Sequence, residues 1–171
     1  MAVLPILTYP NPLLKAISAP VESIDDELLR FIADLTDTLE ASPGCVGIAA
    51  PQVGMLKRLI IVDVSRSTRP FPNRGRMVLI NPTFTWQEGE VMAREGCLSL
   101  PHLTANVKRA RQIRFTAMTP AGATIEVETS DFEARVVLHE ADHLDGLLFL
   151  DRVASLKTDV FRRKNYLPPR A

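Results

Sequence analysis

The feature that most constrains this chain is the short segment 139–143, in which two histidines four positions apart enclose a glutamate. Side chains at positions i and i+4 lie on the same face of an α-helix, so His139 and His143 can reach one metal ion when this segment is helical. Glu140, beside the first imidazole, is then placed to take a proton from water held by that ion. The segment therefore predicts a helix that carries part of a hydrolytic metal site.

The flanking residues predict where this helix begins and ends. Ser130 and Glu133 have the spacing of a capping box, which predicts a helix start near Asp131. Gly146 follows the second histidine and is expected to end the helix. The alternative is an ordinary amphipathic helix with two hydrogen-bonded histidines and a solvated glutamate. Apolar neighbours of the motif favour the metal interpretation, since unpaired imidazoles would be costly in a low-dielectric setting.

Length and composition narrow the class of protein. The 171 residues are 46% apolar and 23% charged, so we expect a single globular domain over residues 1–171. Twenty basic residues balance twenty acidic ones, which argues against broad nucleic-acid or membrane-surface binding. The first twelve residues lack a secretory pattern, and two cysteines are too few for a disulfide scaffold. We therefore expect a cytoplasmic protein, most simply a monomer.

The remaining periodicities predict an α+β fold. A helix is expected to open at Ser23 and to end at residues 42–44. Strand patterns occupy residues 58–64, 77–80, 83–91, 112–118 and 124–128. Mostly antiparallel strands should thus surround a central metal-binding helix, with a second helix near the N-terminus. The stretch from Arg162 onward is expected to be solvated.

A catalytic site of the zinc type needs a third protein ligand and an open position for water. The residues after His143 contain neither glutamate nor histidine, which argues against the usual metalloproteases. The remaining candidates are Asp145, Asp151, Cys45, Cys97 and His102. Asp145 should point elsewhere on the helix, and Asp151 is more typical of a surface carboxylate. His102 is expected in a surface loop.

Cys97 is the favoured third ligand. It follows a strand pattern, and Gly96 before it allows close backbone approach. A thiolate with two neutral imidazoles is a sound tetrahedral set. The alternative is that Cys97 is a small buried apolar residue, as most free cysteines are.

Three segments together resemble the peptide deformylase family. They are Val-Gly-Ile-Ala-Ala-Pro-Gln at 46–52, Glu-Gly-Cys-Leu-Ser at 95–99, and His-Glu-Ala-Asp-His at 139–143, in that family's order. The resemblance extends more loosely over nearly the whole chain. It implies an enzyme that removes the formyl group from the N-terminal formyl-methionine of nascent polypeptides, with the ribosome as a further partner.

The resemblance also implies metal and catalytic roles. Cys97, His139 and His143 would hold one divalent ion, typically Fe(II), with Zn(II), Ni(II) or Co(II) able to replace it. Glu140 would be the general base and then the acid for the leaving amine. Gln52, through its side-chain amide, and Leu98, through its backbone N–H, would stabilise the oxyanion. Without the resemblance, a glutamine that ties down its own loop is the simpler interpretation.

The peptide would be held by a further set of residues. Val46 and Gly47 would pair with it through their backbones, as with an added strand. Phe132 and Val136 are candidates for the wall of the methionine pocket. Behind the cysteine loop, the resemblance implies a structural ion pair between Glu95 and Arg109.

Cys45 is the main departure from the family, since a glycine usually stands there. The cysteine is either tolerated, or reshapes the site, or competes for metal or becomes oxidised with Cys97. Leu138 stands where a glutamine is common, and Thr104 where some members carry a basic residue. Two alternatives follow: a deformylase-like paralogue with altered or reduced activity, and a non-enzymatic metal domain that binds peptides.

Overall fold

The computed structural model describes residues 2–163. Within them the helices are α1 (Asp26–Glu40) and α2 (Asp131–Leu144). The strands are β1 (Gly47–Ala49), β2 (Leu59–Asp63), β3 (Arg76–Glu88), β4 (Val91–Cys97), β5 (Leu100–Arg109), β6 (Gln112–Met118), β7 (Thr124–Ser130) and β8 (Val160–Arg162). No helix in this part of the chain is long and apolar enough to cross a membrane.

The strands form two antiparallel sheets. The first has the order β1-β2-β3-β6-β7 and the second the order β4-β5-β8. Strands β1 and β4 are therefore each an edge of their own sheet. The α+β prediction, with mostly antiparallel strands, is confirmed.

Strand β2 explains why the two helices lie on opposite faces of the first sheet. All five of its residues are buried, and successive side chains of a strand point to opposite faces. Leu59 and Ile61 pack in one apolar cluster with the buried face of α1. Ile60 and Val62 pack in another with the buried face of α2. The second sheet shares a third cluster with the segment after α2, and side chains of β4 and β5 form hydrogen bonds with α2 itself. Helix α2 therefore lies between the two sheets.

Several boundaries differ from those predicted. Helix α1 begins at Asp26 rather than at Ser23, because the side chain of Asp25 accepts a hydrogen bond from Leu28 N at 2.8 Å and caps the helix there. The strands expected at 77–80 and 83–91 are one strand, β3. Its register shifts beside Asn81, which has φ +51°, and this irregularity interrupts the alternation of side chains.

The sequence did not predict β5 or β8. Arg162 is exposed, as expected, but it lies in β8 opposite Leu103 of β5 rather than in a tail. His102 lies in β5, with an exposed side chain, rather than in a loop. The rest of the predicted tail, residues 164–171, lies outside the described residues.

Helix α2 begins and ends where predicted, but its expected capping box is wrong. Ser130 is the N-cap residue and its side chain makes no capping hydrogen bond. The buried carboxylate of Glu133 instead accepts hydrogen bonds from Thr129 Oγ1 and Arg74 N, each at 2.8 Å. Burial makes these two donors necessary, which draws the glutamate away from the helix end. Gly146 follows the helix at φ +71°.

Candidate active site and metal centre

Helix α2 and the end of β4 bring together the three residues expected to bind a metal. One possible ligand atom each from Cys97, His139 and His143 lies within 4.8 Å of the others. Cys97 Sγ is 3.5 Å from His143 Nε2, and the two imidazole rings are 5.4 Å apart. Residues from two separate parts of the chain thus converge on one point.

The geometry of this cluster fits a divalent metal. Metal–sulfur and metal–nitrogen bonds of about 2.3 and 2.0–2.1 Å at a tetrahedral angle place the two ligand atoms about 3.5 Å apart. The distance between Cys97 Sγ and His143 Nε2 has this value. Among the described residues, no further histidine, cysteine or carboxylate joins the group. Three protein ligands are the number typical of a catalytic site.

The other candidate ligands are used elsewhere. Asp145 forms an ion pair with Arg58 at 3.0 Å, and Asp151 forms one with Lys15. Both aspartates therefore stabilise the surface around the end of α2.

A chain of charged groups behind the cluster orients His139. Its Nδ1 donates to Glu95 Oε1 at 2.8 Å, which leaves Nε2 to face the cluster. Glu95 also accepts two hydrogen bonds from Arg109, at 2.6 and 2.9 Å, so the ion pair is bidentate. Burial by itself raises the pKa of Glu95, but the hydrogen bonds from His139 and Arg109 lower it to about 2.

Arg109 also links the second sheet to α2. It donates to Asp142 Oδ2 at 2.9 Å, and Asp142 accepts a further pair of hydrogen bonds from Arg152. We did not predict Asp142 as part of this network. Its only sequence signal is its place inside the histidine motif, and nothing local indicates a partner 33 residues away.

The electrostatic environment favours a cation at the cluster. Burial lowers the pKa of His143 well below its usual value, so this imidazole stays neutral and available as a ligand. Burial alone would also lower the pKa of His139, but its hydrogen bonds to Cys97 and Glu95 raise it well above the usual value. A positive charge among the thiol and carboxylate groups is thereby stabilised.

Glu140 lies beside the cluster with one oxygen uncommitted. The residue is 5% exposed, and its Oε2 has no hydrogen-bond partner within the described part of the chain. Burial raises the pKa of Glu140 to about 7, against the opposing effect of His139. A buried carboxylate that titrates near neutral pH is suited to both accept and donate a proton.

Gly47 allows Glu140 to take this position. A Cβ atom at Gly47 would lie 2.9 Å from Glu140 Oε1 and 3.0 Å from a methyl group of Val136. Real Cβ atoms essentially never approach other heavy atoms so closely. The backbone of β1 therefore packs directly on the carboxylate because residue 47 has no side chain.

The side chain of Gln52 has two functions in the structure. Its Oε1 accepts a hydrogen bond from Ala49 N at 2.9 Å, so it does tie down its own loop. Its amide Nε2 lies 3.6 Å from Cys97 Sγ and 3.1 Å from Ser99 Oγ, so it also faces the cluster. Sequence reasoning missed Ser99, which positions this amide.

A cavity of about 280 Å³ opens beside the cluster. Its lining includes the residues that the sequence suggested for binding a substrate, together with both oxyanion candidates: Val46, Gly47, Gln52, Leu98, Phe132 and Val136. The ring of Phe132 packs on that of Phe71 with centroids 4.4 Å apart, which fixes one wall. A concave apolar pocket with a few convergent polar groups is the usual form of a small binding site.

Cys45 lines the same cavity but stands apart from the ligand group. Its Sγ lies 2.9 Å from the carbonyl oxygen of Gly47, to which it donates. Burial, with Glu140 nearby, raises the pKa of the Cys45 thiol to about 12, so the thiol keeps its proton at neutral pH. The other departures lie outside the cluster: Leu138 packs on the apolar core, and Thr104 lies in β5.

Metal hydrolases are the class of protein that this arrangement defines, because a three-ligand centre lies beside a buried, uncommitted carboxylate in an open cavity. Residues 3–159 match the family model described as Polypeptide deformylase. The chain belongs to the peptide deformylase family, whose members are metal-binding hydrolases of protein biosynthesis.

Individual relatives agree with this assignment. A peptide deformylase from Thermodesulfovibrio yellowstonii is 42% identical over 164 residues, which cover 96% of this chain and 97% of that protein. The crystal structure of a peptide deformylase from Legionella pneumophila superposes with a TM-score of 0.84 at 34% identity, covering 91% of this chain and 89% of that one. A Met-Ala-Ser-bound class I type b peptide deformylase from Acinetobacter baumannii gives 0.82 at 34% identity, covering 89% and 99%.

Proposed function

We propose that this chain hydrolyses the formyl group from the N-terminal formyl-methionine of newly made polypeptides and releases formate. The observation that carries the proposal is the buried Glu140 carboxylate, with an unpartnered oxygen, beside the three possible ligand atoms. The Acinetobacter relative binds Met-Ala-Ser, a peptide with the free N-terminal methionine that such a reaction produces. We further propose that the whole chain works as one domain, because both sheets pack on α2.

Cys97, His139 and His143 would hold the metal. One sulfur and two imidazole nitrogens suit Fe(II), our proposed ion, and also Zn(II), Ni(II) or Co(II). When bound, such an ion supplies a strong nucleophile at neutral pH, since it lowers the pKa of water from 15.7 to about 7.

The proton transfers would belong to Glu140. Water adds to the formyl carbon, the carbon–nitrogen bond breaks, formate leaves, and the peptide nitrogen gains a proton. Glu140 would take the proton from water and return it to the departing amine. Its pKa of about 7 supports both directions of transfer.

Gln52 and Leu98 would stabilise the negative charge on the formyl oxygen. The Gln52 amide faces Cys97 and is held by Ala49 and Ser99, so little reorganisation is needed. Leu98 follows the ligand Cys97 and lines the cavity. One such donor is typically worth about 3–4 kcal/mol in the transition state.

The peptide would bind along β1. Asp63 N donates to Val46 O, so the alternation of an antiparallel ladder turns the N–H and C=O of Gly47 away from β2, toward the open edge. An extended peptide can use both groups as an added strand does, whereas the carbonyl of Val46, also expected to pair with the peptide, is already bound to Asp63. Phe132 and Val136 would then contact the methionine side chain.

The test is replacement of Glu140 by alanine. We expect Glu140→Ala to keep its metal but to lose formate release from a formyl-Met peptide by about 10²–10⁴-fold, the usual contribution of a general base. Metal content and formate are measured anaerobically on the same sample. Glu22→Ala, which removes an exposed carboxylate outside the cavity, is the control. Undiminished formate release by metal-loaded Glu140→Ala would refute the assigned mechanism.

One observation favours a second candidate, a paralogue with altered or reduced activity. The Cys45 thiol already occupies the Gly47 carbonyl that an added strand would use. A peptide N–H must share this acceptor with the thiol or displace it to pair fully with β1.

A further inference from the structure

Three arginines lie among the more exposed residues that line the cavity, at its mouth. They are Arg94 on β4, Arg135 on α2, and Arg163, which follows β8. The innermost lining residues Gln52 and Glu140 are buried, whereas Arg94 is exposed and the other two arginines are half-buried. Three positive charges from separate parts of the chain therefore line the more exposed part of the cavity.

Within residues 2–163, no carboxylate neutralises these charges. Over residues 2–163, none of the three guanidinium groups forms an ion pair with a carboxylate. The two carboxylates that line the cavity do not neutralise the arginines. Glu95 is bound by Arg109 and His139, and Glu140 is buried. The mouth thus presents positive charge to whatever enters.

Neutral contacts hold the arginines in place. Arg94 stacks on the ring of Phe161 at 3.8 Å and donates to Asn106 Oδ1 at 3.0 Å. The guanidinium of Arg163 lies over Gly96, 3.7 Å from the position of a Cβ atom there. Because their partners are uncharged, the arginines are positioned while their charge stays available.

We propose that Arg94, Arg135 and Arg163 select polypeptide substrates with acidic side chains close behind the N-terminal methionine. This inference rests on the proposed deformylase function. Two sheet edges flank the cavity, β1 with Gly47 and β4 with Gly96, so an extended peptide between them carries its next side chains past the mouth. Nucleic acid fits less well, because the charges surround a concave opening of about 280 Å³ rather than a broad face.

The effect should be moderate and sensitive to salt. Exposed ion pairs are weak, so each arginine should change the relative kcat/KM by only about 1.5–2-fold. The preference should appear mainly in KM, since the charges lie away from the reacting atoms. Salt screens exposed charges, so the preference should shrink at high ionic strength.

The experiment compares formyl-Met peptides that differ only at the second or third residue, which is glutamate, glutamine or lysine. The C-terminus is amidated so that it adds no carboxylate. We expect glutamate to exceed glutamine in kcat/KM at one position at least, by about 3–10-fold in low salt, and lysine to be poorest. If no peptide releases formate, the proposed function fails; if all three release it equally well, only the present inference fails.

Variants assign the preference to the arginines. The double variant Arg94→Gln, Arg163→Gln should reduce the glutamate-to-glutamine ratio toward one. The double variant Arg30→Gln, Lys57→Gln, which removes two positive charges from exposed residues outside the cavity, should leave it unchanged. A ratio that survives in the triple variant with Arg135→Gln would overturn the inference. So would a triple variant that loses ribosomal RNA binding while its peptide preference is intact, since the charges would then serve nucleic acid.

Discussion

The side chain of Cys45 competes with the proposed substrate for the backbone carbonyl of Gly47. The Cys45 thiol keeps its proton, because burial raises its pKa to about 12, and it donates to Gly47 O at 2.9 Å. An incoming peptide N–H must share that acceptor with the thiol or displace the thiol. The thiol should therefore weaken peptide binding while leaving the chemistry at Glu140 unchanged.

Removing this thiol should tighten peptide binding. We expect Cys45→Ala to lower KM for a formyl-Met peptide by about 2–5-fold with kcat little changed, in line with the net value of one hydrogen bond. Steady-state formate release provides the measurement. Cys45→Ser, which keeps a donor, should resemble the unmodified protein. A large rise in kcat in Cys45→Gly would instead favour the altered paralogue.

Local spacing predicted the part of the site that lies on one helix. His139, Glu140 and His143 needed only the helical repeat. Cys97 could be inferred from its neighbours and from the family resemblance, because it comes from another sheet. The packing of Gly47 against Glu140 could not be inferred from the sequence. These residues are far apart in the chain, and their approach depends on how β1 crosses α2.

At the scale of elements, the alternation of apolar residues identified β2, β6 and β7 but divided β3. Asn81 interrupts β3 because its positive φ suits side-chain hydrogen bonds to the backbone of Val21, at 2.9 Å each. Strand β5 buries Ala105, Val107 and Arg109 in alternation, but one of these side chains is small and another is charged. Periodicity indicates elements whose buried face is apolar, so the sequence gives little signal for β5.

The prediction at the scale of elements concerns Gly146, which lies just after the end of α2. We expect Gly146→Ala to lower the free energy of unfolding by about 2–4 kcal/mol, because residue 146 has φ +71° and a Cβ would overlap the carbonyl of Lys15. Urea unfolding measures the loss. Gly122→Ala, at φ +84° with nothing within 4 Å, isolates the conformational cost and should lose only about 1 kcal/mol. Equal losses in the two variants would show that the overlap is relieved at no cost.

At the scale of the whole molecule, the metal ligands join parts that are distant in the sequence. Cys97 ends β4 in the second sheet, and the two histidines lie on α2, which packs on the first. Arg109 of the second sheet, which pairs with Glu95 of the same sheet, also forms an ion pair with Asp142 of α2. A bound ion should therefore stabilise the contact between the sheets as well as the site.

Removal of the metal should destabilise the fold. With the ion at about 100–1,000 times its Kd, binding adds about 3–4 kcal/mol, so a chelator should lower Tm by several degrees. Calorimetry under anaerobic conditions, before and after chelation, measures the shift. Cys97→Ser should bind the ion poorly and respond little to the chelator. A metal-depleted protein with unchanged Tm would contradict this link between ligation and folding.

The position of β1 and β4 at the margins of two separate sheets has a consequence for solubility. Unpaired strand margins invite other chains to pair with them and aggregate. Here β1 has only three residues, and both edge strands line the cavity that contains the three arginines rather than an exposed side of the molecule. The same positive charge on a second copy should be repelled from that recess. We therefore expect these hydrogen-bonding groups to favour a short peptide over pairing between two copies.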